Sequence, residues 1–117
     1  MQKIIVVSLG GSLIAPEKTN FGFLKNFRKV LKKFYKTHKF VVVCGGGSIA
    51  RQYISILQEE HKSKKELSLA GIRATRMNAQ VVMQTFGKEA NDSLPRDMKD
   101  VKGSLSKNNV VVCGALR

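Results

Sequence analysis

No tryptophan occurs in the 117 residues, and proline, cysteine and tyrosine occur only twice each. Acidic residues are scarce as well: eight Asp and Glu stand against 21 Lys and Arg, a formal net charge of +13. So little proline in a chain that is 43% hydrophobic excludes a collagen-like or disordered polymer. No apolar run approaches the ~20 residues of a membrane span. The run Ile4-Ile5-Val6-Val7 is too short for a signal-peptide core, and no small-residue cleavage site follows it. The length suits one domain, and the expected location is the cytoplasm.

The two cysteines fit that location. Each closes a run of three valines, in Val41-Val42-Val43-Cys44-Gly45 and Val110-Val111-Val112-Cys113-Gly114. They read as buried thiols acting as small apolar residues. His38 and His61 lie in polar, lysine-rich stretches, so no clustered ligand set exists for zinc and no metal site is expected.

The positive charge is uneven. Residues 1–40 hold nine basic side chains against the single Glu17. Most sit on one predicted helix over residues 23–36, whose apolar stripe is Leu24, Phe27, Leu31 and Phe34. The lysines fall on the opposite, solvated side. Six arginines without an interleaved aromatic platform argue against a nucleic-acid surface.

The chain reads as strand, glycine loop, helix, repeated. Residues 4–9 form a continuous β-branched run, the pattern of a strand buried on both faces of a parallel sheet. Gly10-Gly11-Ser12 ends it, and a loop through Pro16 leads to the basic helix. Residues 39–44 are a second buried strand, followed by Gly45-Gly46-Gly47. Ser48 is the expected cap of the next helix, with Ile49, Tyr53 and Leu57 on its apolar side. A third helix carries Leu67, Ala70, Ala74, Met77 and Val81 and stops at Gly87. A polar stretch with Pro95 and a short helix precede a third buried strand over residues 109–113. Alternation of this kind means βαβ units and parallel pairing, hence an α/β fold. Ligands gather beyond the carboxyl ends of such strands, and all three strands here end in glycine.

A glycine turn feeding a helix exposes backbone N–H groups toward which the helix dipole is positive, a site for phosphate. Arg51, in the first turn of the second of these helices, is placed to add a charge-assisted contact. Arg73 and Arg76 share one face of the third helix. Gly45-Gly46-Gly47-Ser48-Ile49-Ala50 also matches the dinucleotide fingerprint, but the acidic residue expected about 20 positions on, at the end of a strand, is missing. The P-loop ending Gly-Lys-Ser/Thr is absent too.

Three stretches together resemble the amino-acid kinase superfamily, and within it the archaeal type of uridylate (UMP) kinase. They are Val6-Val7-Ser8-Leu9-Gly10-Gly11-Ser12-Leu13, then Val41-Val42-Val43-Cys44-Gly45-Gly46-Gly47-Ser48-Ile49-Ala50-Arg51-Gln52-Tyr53, then Gly71-Ile72-Arg73-Ala74-Thr75-Arg76-Met77-Asn78-Ala79. The resemblance implies a three-layer αβα sandwich with a mainly parallel sheet, and phosphoryl transfer from ATP to UMP with Mg2+ as activator. It implies that Gly11, Ser12, Gly47 and Arg51 border ATP, and that Gly46, Ser68 and Gly114 border UMP. Ser68 stands where relatives carry an aspartate. No catalytic residue is assigned.

The resemblance covers only the N-terminal half of the family's fold. Residues 1–117 are therefore expected to be a single UMP-binding domain, without the C-terminal ATP-binding half and inactive alone unless a separate chain supplies it. The Val110-Val111-Val112 strand is expected to be poorly covered in such a fragment. The family implies a homo-oligomer, typically a hexamer. Two other readings remain open: a superfamily kinase acting on isopentenyl phosphate or an amino acid, and a non-catalytic nucleotide or nucleic-acid binding module.

Overall fold

The computed structural model describes residues 2–14 and 21–116; the expected loop through Pro16 lies outside them. The described elements run β1 (Lys3–Leu9), α1 (Gly11–Ile14), α2 (Phe21–Lys32), β2 (His38–Cys44), α3 (Gly47–Glu59), α4 (Lys64–Phe86), a 3-10 turn (Gly87–Glu89), α5 (Met98–Leu105) and β3 (Val110–Cys113). The three strands form one parallel sheet in the order β1-β2-β3. Leu9 pairs with Cys44, and Val43 pairs with Cys113, so the three carboxyl ends lie level along one rim.

Helices cover both faces of the sheet, the three-layer αβα arrangement. On one face Val7, Leu9, Phe40, Val42, Cys44, Val110 and Val112 meet Leu24, Phe27 and Leu31 of α2 and Ala79, Val82, Met83 and Phe86 of α4. On the other, Val41, Val43, Val111 and Cys113 meet Val101 and Leu105 of α5. Local signals set the helix ends. Ser63 caps α4, accepting from the Glu66 N–H at 3.2 Å, and Gly87 ends it at φ 62°. Asp97 caps α5, accepting from the Asp100 N–H at 2.9 Å.

Several expectations change. β3, expected to be poorly covered, is the best buried strand: Val110, Val111 and Val112 are each 0% exposed. Complete burial of a valine side chain stabilises by ~1.5–3 kcal/mol, so this strand anchors the sheet. β1 is the reverse, with Ile4 57% and Val6 67% exposed, because the apolar cluster under α5 takes in residues of β2 and β3 and none of β1. The inward face of α4 is Ala74, Asn78, Ala79, Val82, Met83 and Phe86, whereas Met77 and Val81 are exposed. Tyr53 of α3 is exposed too, and Ala50 is the buried residue of that helix. The cap of α3 is Gly46, with no side-chain cap bond, so Ser48 lies inside the helix. Phe34 falls beyond α2 and is half-exposed.

Candidate phosphate-binding site

Both glycine loops leave the sheet at its carboxyl rim and meet backbone to backbone. A Cβ placed on Gly11 would fall on the Gly47 nitrogen and 2.8 Å from the Gly45 carbonyl oxygen. One placed on Gly47 would come 2.6 Å from the Gly11 carbonyl carbon and 2.7 Å from the Ser12 nitrogen. Gly47 also adopts φ 61°, a left-handed conformation natural to glycine. The sequence needs glycine at both positions because two main chains occupy the space of side chains.

α3 begins at this junction. The N–H groups of its first turn, those of Gly47, Ser48 and Ile49, have no carbonyl one turn behind them. The positive end of the helix dipole adds to their pull on an anion. Gly11, Ser12, Gly46 and Gly47 are thus together. Arg51, in the next turn of α3, is exposed and lines a shallow groove with Ser48, Gln52, Ser55 and Ile56. It has no hydrogen-bond partner among the described residues.

The third strand end joins through α4. A Cβ on Gly114 would meet the α4 backbone, 2.8 Å from the Arg76 nitrogen and 2.8 Å from the Thr75 carbonyl carbon. Thr75 Oγ1 accepts the Ala115 N–H at 2.9 Å and donates to the Ile72 carbonyl at 2.6 Å. Its methyl group reaches the Gly46 loop, where a Cβ on Gly46 would lie 3.7 Å from it. Asn78, buried to 3% exposure, donates through Nδ2 to the Gly45 carbonyl at 2.9 Å and to the Gly46 carbonyl at 3.3 Å. Thr75 and Asn78 therefore hold two of the three glycine loops against one helix.

The other expected residues are dispersed. Ser68 is exposed on α4, six residues before Ala74 and so ~9 Å from it along the helix axis. Arg76 is half-buried and donates to the Pro95 carbonyl at 2.8 Å, which fixes the loop before α5; Arg73 is exposed. Burial pushes the Cys44 thiol up to about 12 and the Cys113 thiol above its ordinary value, the nearby Arg76 opposing the latter shift. Neither thiol is a nucleophile at neutral pH.

Thr75 and Asn78 lie in the third resembling stretch, but the sequence reading gave neither a structural role. A signal existed: an asparagine on the same helix face as Ala74, Ala79 and Val82 has to find partners indoors.

The comparisons agree with this geometry. Uridylate kinases of Methanococcus maripaludis and Thermoplasma volcanium are each 36% identical to the chain, over 112 and 114 residues. These alignments cover 94% and 97% of the chain but 49% of each relative, so the chain spans about half the length of the curated relatives it matches. The crystal structure of uridylate kinase from Archaeoglobus fulgidus superposes with a TM-score of 0.85 at 29% identity, covering 99% of this chain and 52% of that one. UMP kinase from Ureaplasma parvum shares the fold, with a TM-score of 0.76 at 18% identity, over 97% of this chain and 54% of its own. Residues 3–116 match the amino acid kinase family, and the chain belongs to it.

Proposed function

We propose that residues 1–117 form the UMP-binding domain of a uridylate kinase, the site at which UMP is presented to the γ-phosphoryl group of ATP. The observation that carries this is the contact of Gly11 with Gly47, which sets two main-chain loops side by side at the start of α3. Phosphoryl transfer asks mainly for positioned donors around a developing negative charge. Two amide-lined loops on adjacent strand ends suit that task, and they can bring donor and acceptor phosphates into line.

In this reading Gly11, Ser12, Gly47 and Arg51 face ATP, while Gly46, Ser68 and Gly114 face UMP. Thr75 and Asn78 orient the loops without touching substrate. The similar uridylate kinases are about twice as long, so the transfer itself is assigned to the assembled fold. Steady UDP formation by this chain alone would contradict that assignment.

Mg2+ is implied by the reaction, but the residues here do not fit a resident ion. No group of three His, Cys, Asp or Glu comes together among the described residues. Asp97 and Asp100 are engaged at the start of α5, and Glu89 binds Tyr35 and Lys32. No helix among the described residues is long and apolar enough to cross a membrane; the reading places the protein in the cytoplasm, as a homo-oligomer.

Calorimetric titration of the purified chain with UMP, with AMP, NAD and isopentenyl phosphate alongside, tests the proposal. Selective binding of UMP is the expected result. Preference for isopentenyl phosphate would move the chain to another branch of the family, and preference for NAD would overturn the nucleotide-kinase reading.

A further inference from the structure

Much of the positive charge that the glycine loops do not use is gathered along α2. Residues 25–36 hold Lys25, Arg28, Lys29, Lys32, Lys33 and Lys36 and no Asp or Glu. The coil continues past Lys32, since the Phe34 and Tyr35 N–H groups donate to the Leu31 and Lys32 carbonyls at 3.0 and 3.3 Å. At ~3.6 residues per turn the lysines of this stretch fall within an arc of ~100° and span ~16 Å along the axis. All of them are exposed, on the side turned away from Leu24 and Leu31.

The fold brings further cations to the end of this strip. The Lys3 N–H donates to the Thr37 carbonyl at 3.0 Å. Lys88 stands beside Glu89, whose carboxylate lies 3.5 Å from Lys32 Nζ. Lys3 and Lys88 are both exposed. The Lys32–Glu89 contact is the one ion pair among the described residues.

A solvated helix face usually interleaves acids with its bases, because opposite charges at i,i+4 attract. Here Lys25–Lys29, Lys29–Lys33, Arg28–Lys32 and Lys32–Lys36 repel instead. A polyanion laid along the strip relieves that repulsion. The lack of an aromatic platform rules out base stacking, but contact with a phosphate backbone needs none. A lipid surface calls for apolar side chains that enter it, and Val30 and Phe34 fall more than ~100° round the helix from the centre of the strip.

We propose that the lysine strip of α2 is a docking surface for duplex DNA, held by its phosphates without regard to sequence. Charge density selects a duplex, which carries one negative charge per ~1.7 Å of axis, twice that of a single strand. Groove width selects DNA. Its major groove, ~12 Å wide, admits the outer face of a helix between two rows of phosphate, whereas the RNA groove is deep and narrow. The strip lies on the outward face of α2 and the glycine loops lie on the carboxyl rim of the sheet. The inference therefore goes beyond the kinase reading and is independent of the acceptor's identity.

The test follows the fluorescence anisotropy of labelled DNA duplexes of roughly 20 base pairs, in unrelated sequences, as the chain is added at several salt concentrations. The expected result is equal affinity for the sequences, with log K falling against log salt at a slope of about −4 or steeper, near one phosphate for each lysine of the strip. Lys29→Ala combined with Lys33→Ala should weaken binding at least ~tenfold at low salt and reduce the slope by about two. Lys62→Ala combined with Lys65→Ala removes the same charge from exposed positions at the junction of α3 and α4. That control should change affinity by less than about twofold, and circular dichroism checks that both variants keep the fold. An equal loss in the two variants would reduce the binding to net charge and overturn the proposal. So would no binding to the duplex at about 50 mM salt. Tighter binding to an RNA duplex, to polyglutamate or to phosphatidylglycerol vesicles would assign the strip to another partner and overturn it as well.

Discussion

Gly11 faces the backbone nitrogen of Gly47 with no room for a Cβ between them. The obstacle is main chain on both sides, so no side-chain rotation relieves an added methyl group. Gly11→Ala should therefore cost ~1–3 kcal/mol, the range of an overpacked core, and weaken UMP binding by separating the loops. Gly10, its neighbour in sequence, has nothing within 4 Å of the position a Cβ would take, so Gly10→Ala should stay within ~0.5 kcal/mol of the parent. Urea unfolding midpoints of the two variants test the contrast. Equal midpoints would mean that the loops do not touch in solution.

Asn78 gives a prediction with a pH signature. Its amide donates to two loop carbonyls from a nearly fully buried position. In Asn78→Asp the donors disappear and a carboxyl faces two carbonyl oxygens, which raises its folded-state pKa above the ordinary ~3.9. A group raised in this way contributes stability that is present below its unfolded pKa and lost as pH rises through the folded value. The variant should therefore approach parent stability near pH 4 and fall ~1–3 kcal/mol below it near neutrality. Thermal melting across that range measures the difference. A pH-independent difference would show that Asn78 does not face the loop carbonyls.

The three strand–glycine junctions were legible because β-branched runs closed by glycine are local features. Burial was less so. Ile4-Ile5-Val6-Val7 and Val110-Val111-Val112 look alike in sequence, yet the first lies on an open edge and the second is fully buried. Both are edge strands, so the helices packed over them decide which, and that packing is a long-range property. The phase of α4 failed for a related reason: Met77 and Val81 fit the apolar spacing, but Asn78 turned inward because the Gly45 and Gly46 carbonyls needed a donor. Bonds such as Asn91 to Val112 or Thr75 to Ala115 join residues 21 and 40 positions apart, and nothing in local periodicity announces them.

Cys44 predicts an alkaline loss of stability. Burial moves its thiol from 9.0 to about 12, and Cys113 is shifted in the same direction. Above the unfolded pKa the unfolded chain releases a proton that the folded chain retains, so stability falls as pH rises from about 9 toward 12. Tyr35, raised by burial and by its hydrogen bond to Glu89, joins the decline only above its ordinary value of 10.0. Urea midpoints compared between about pH 8 and about pH 10 should therefore decline, and Cys44→Ala should flatten part of that slope. An unchanged slope in the variant would place the thiol in contact with water.

Asn91 supplies the closing prediction, because one side chain satisfies both the N–H and the C=O of Val112 and also donates to the Ser93 carbonyl at 2.8 Å. Asn91→Ala strands two backbone groups beside a side chain that is 0% exposed, at ~1–3 kcal/mol for each group left unpaired. Asn91→Asp keeps the acceptor for the Val112 N–H and loses the donor, so it should fall between the parent and alanine. Amide exchange at Val112 is the sensitive probe. In the parent it should require global unfolding, whereas in Asn91→Ala it should proceed through local opening of the β3 edge. The newly open edge should also promote association that grows with protein concentration, as unpaired strands do. If Val112 exchanges equally slowly in all three proteins, the Asn91 amide is not what closes this edge.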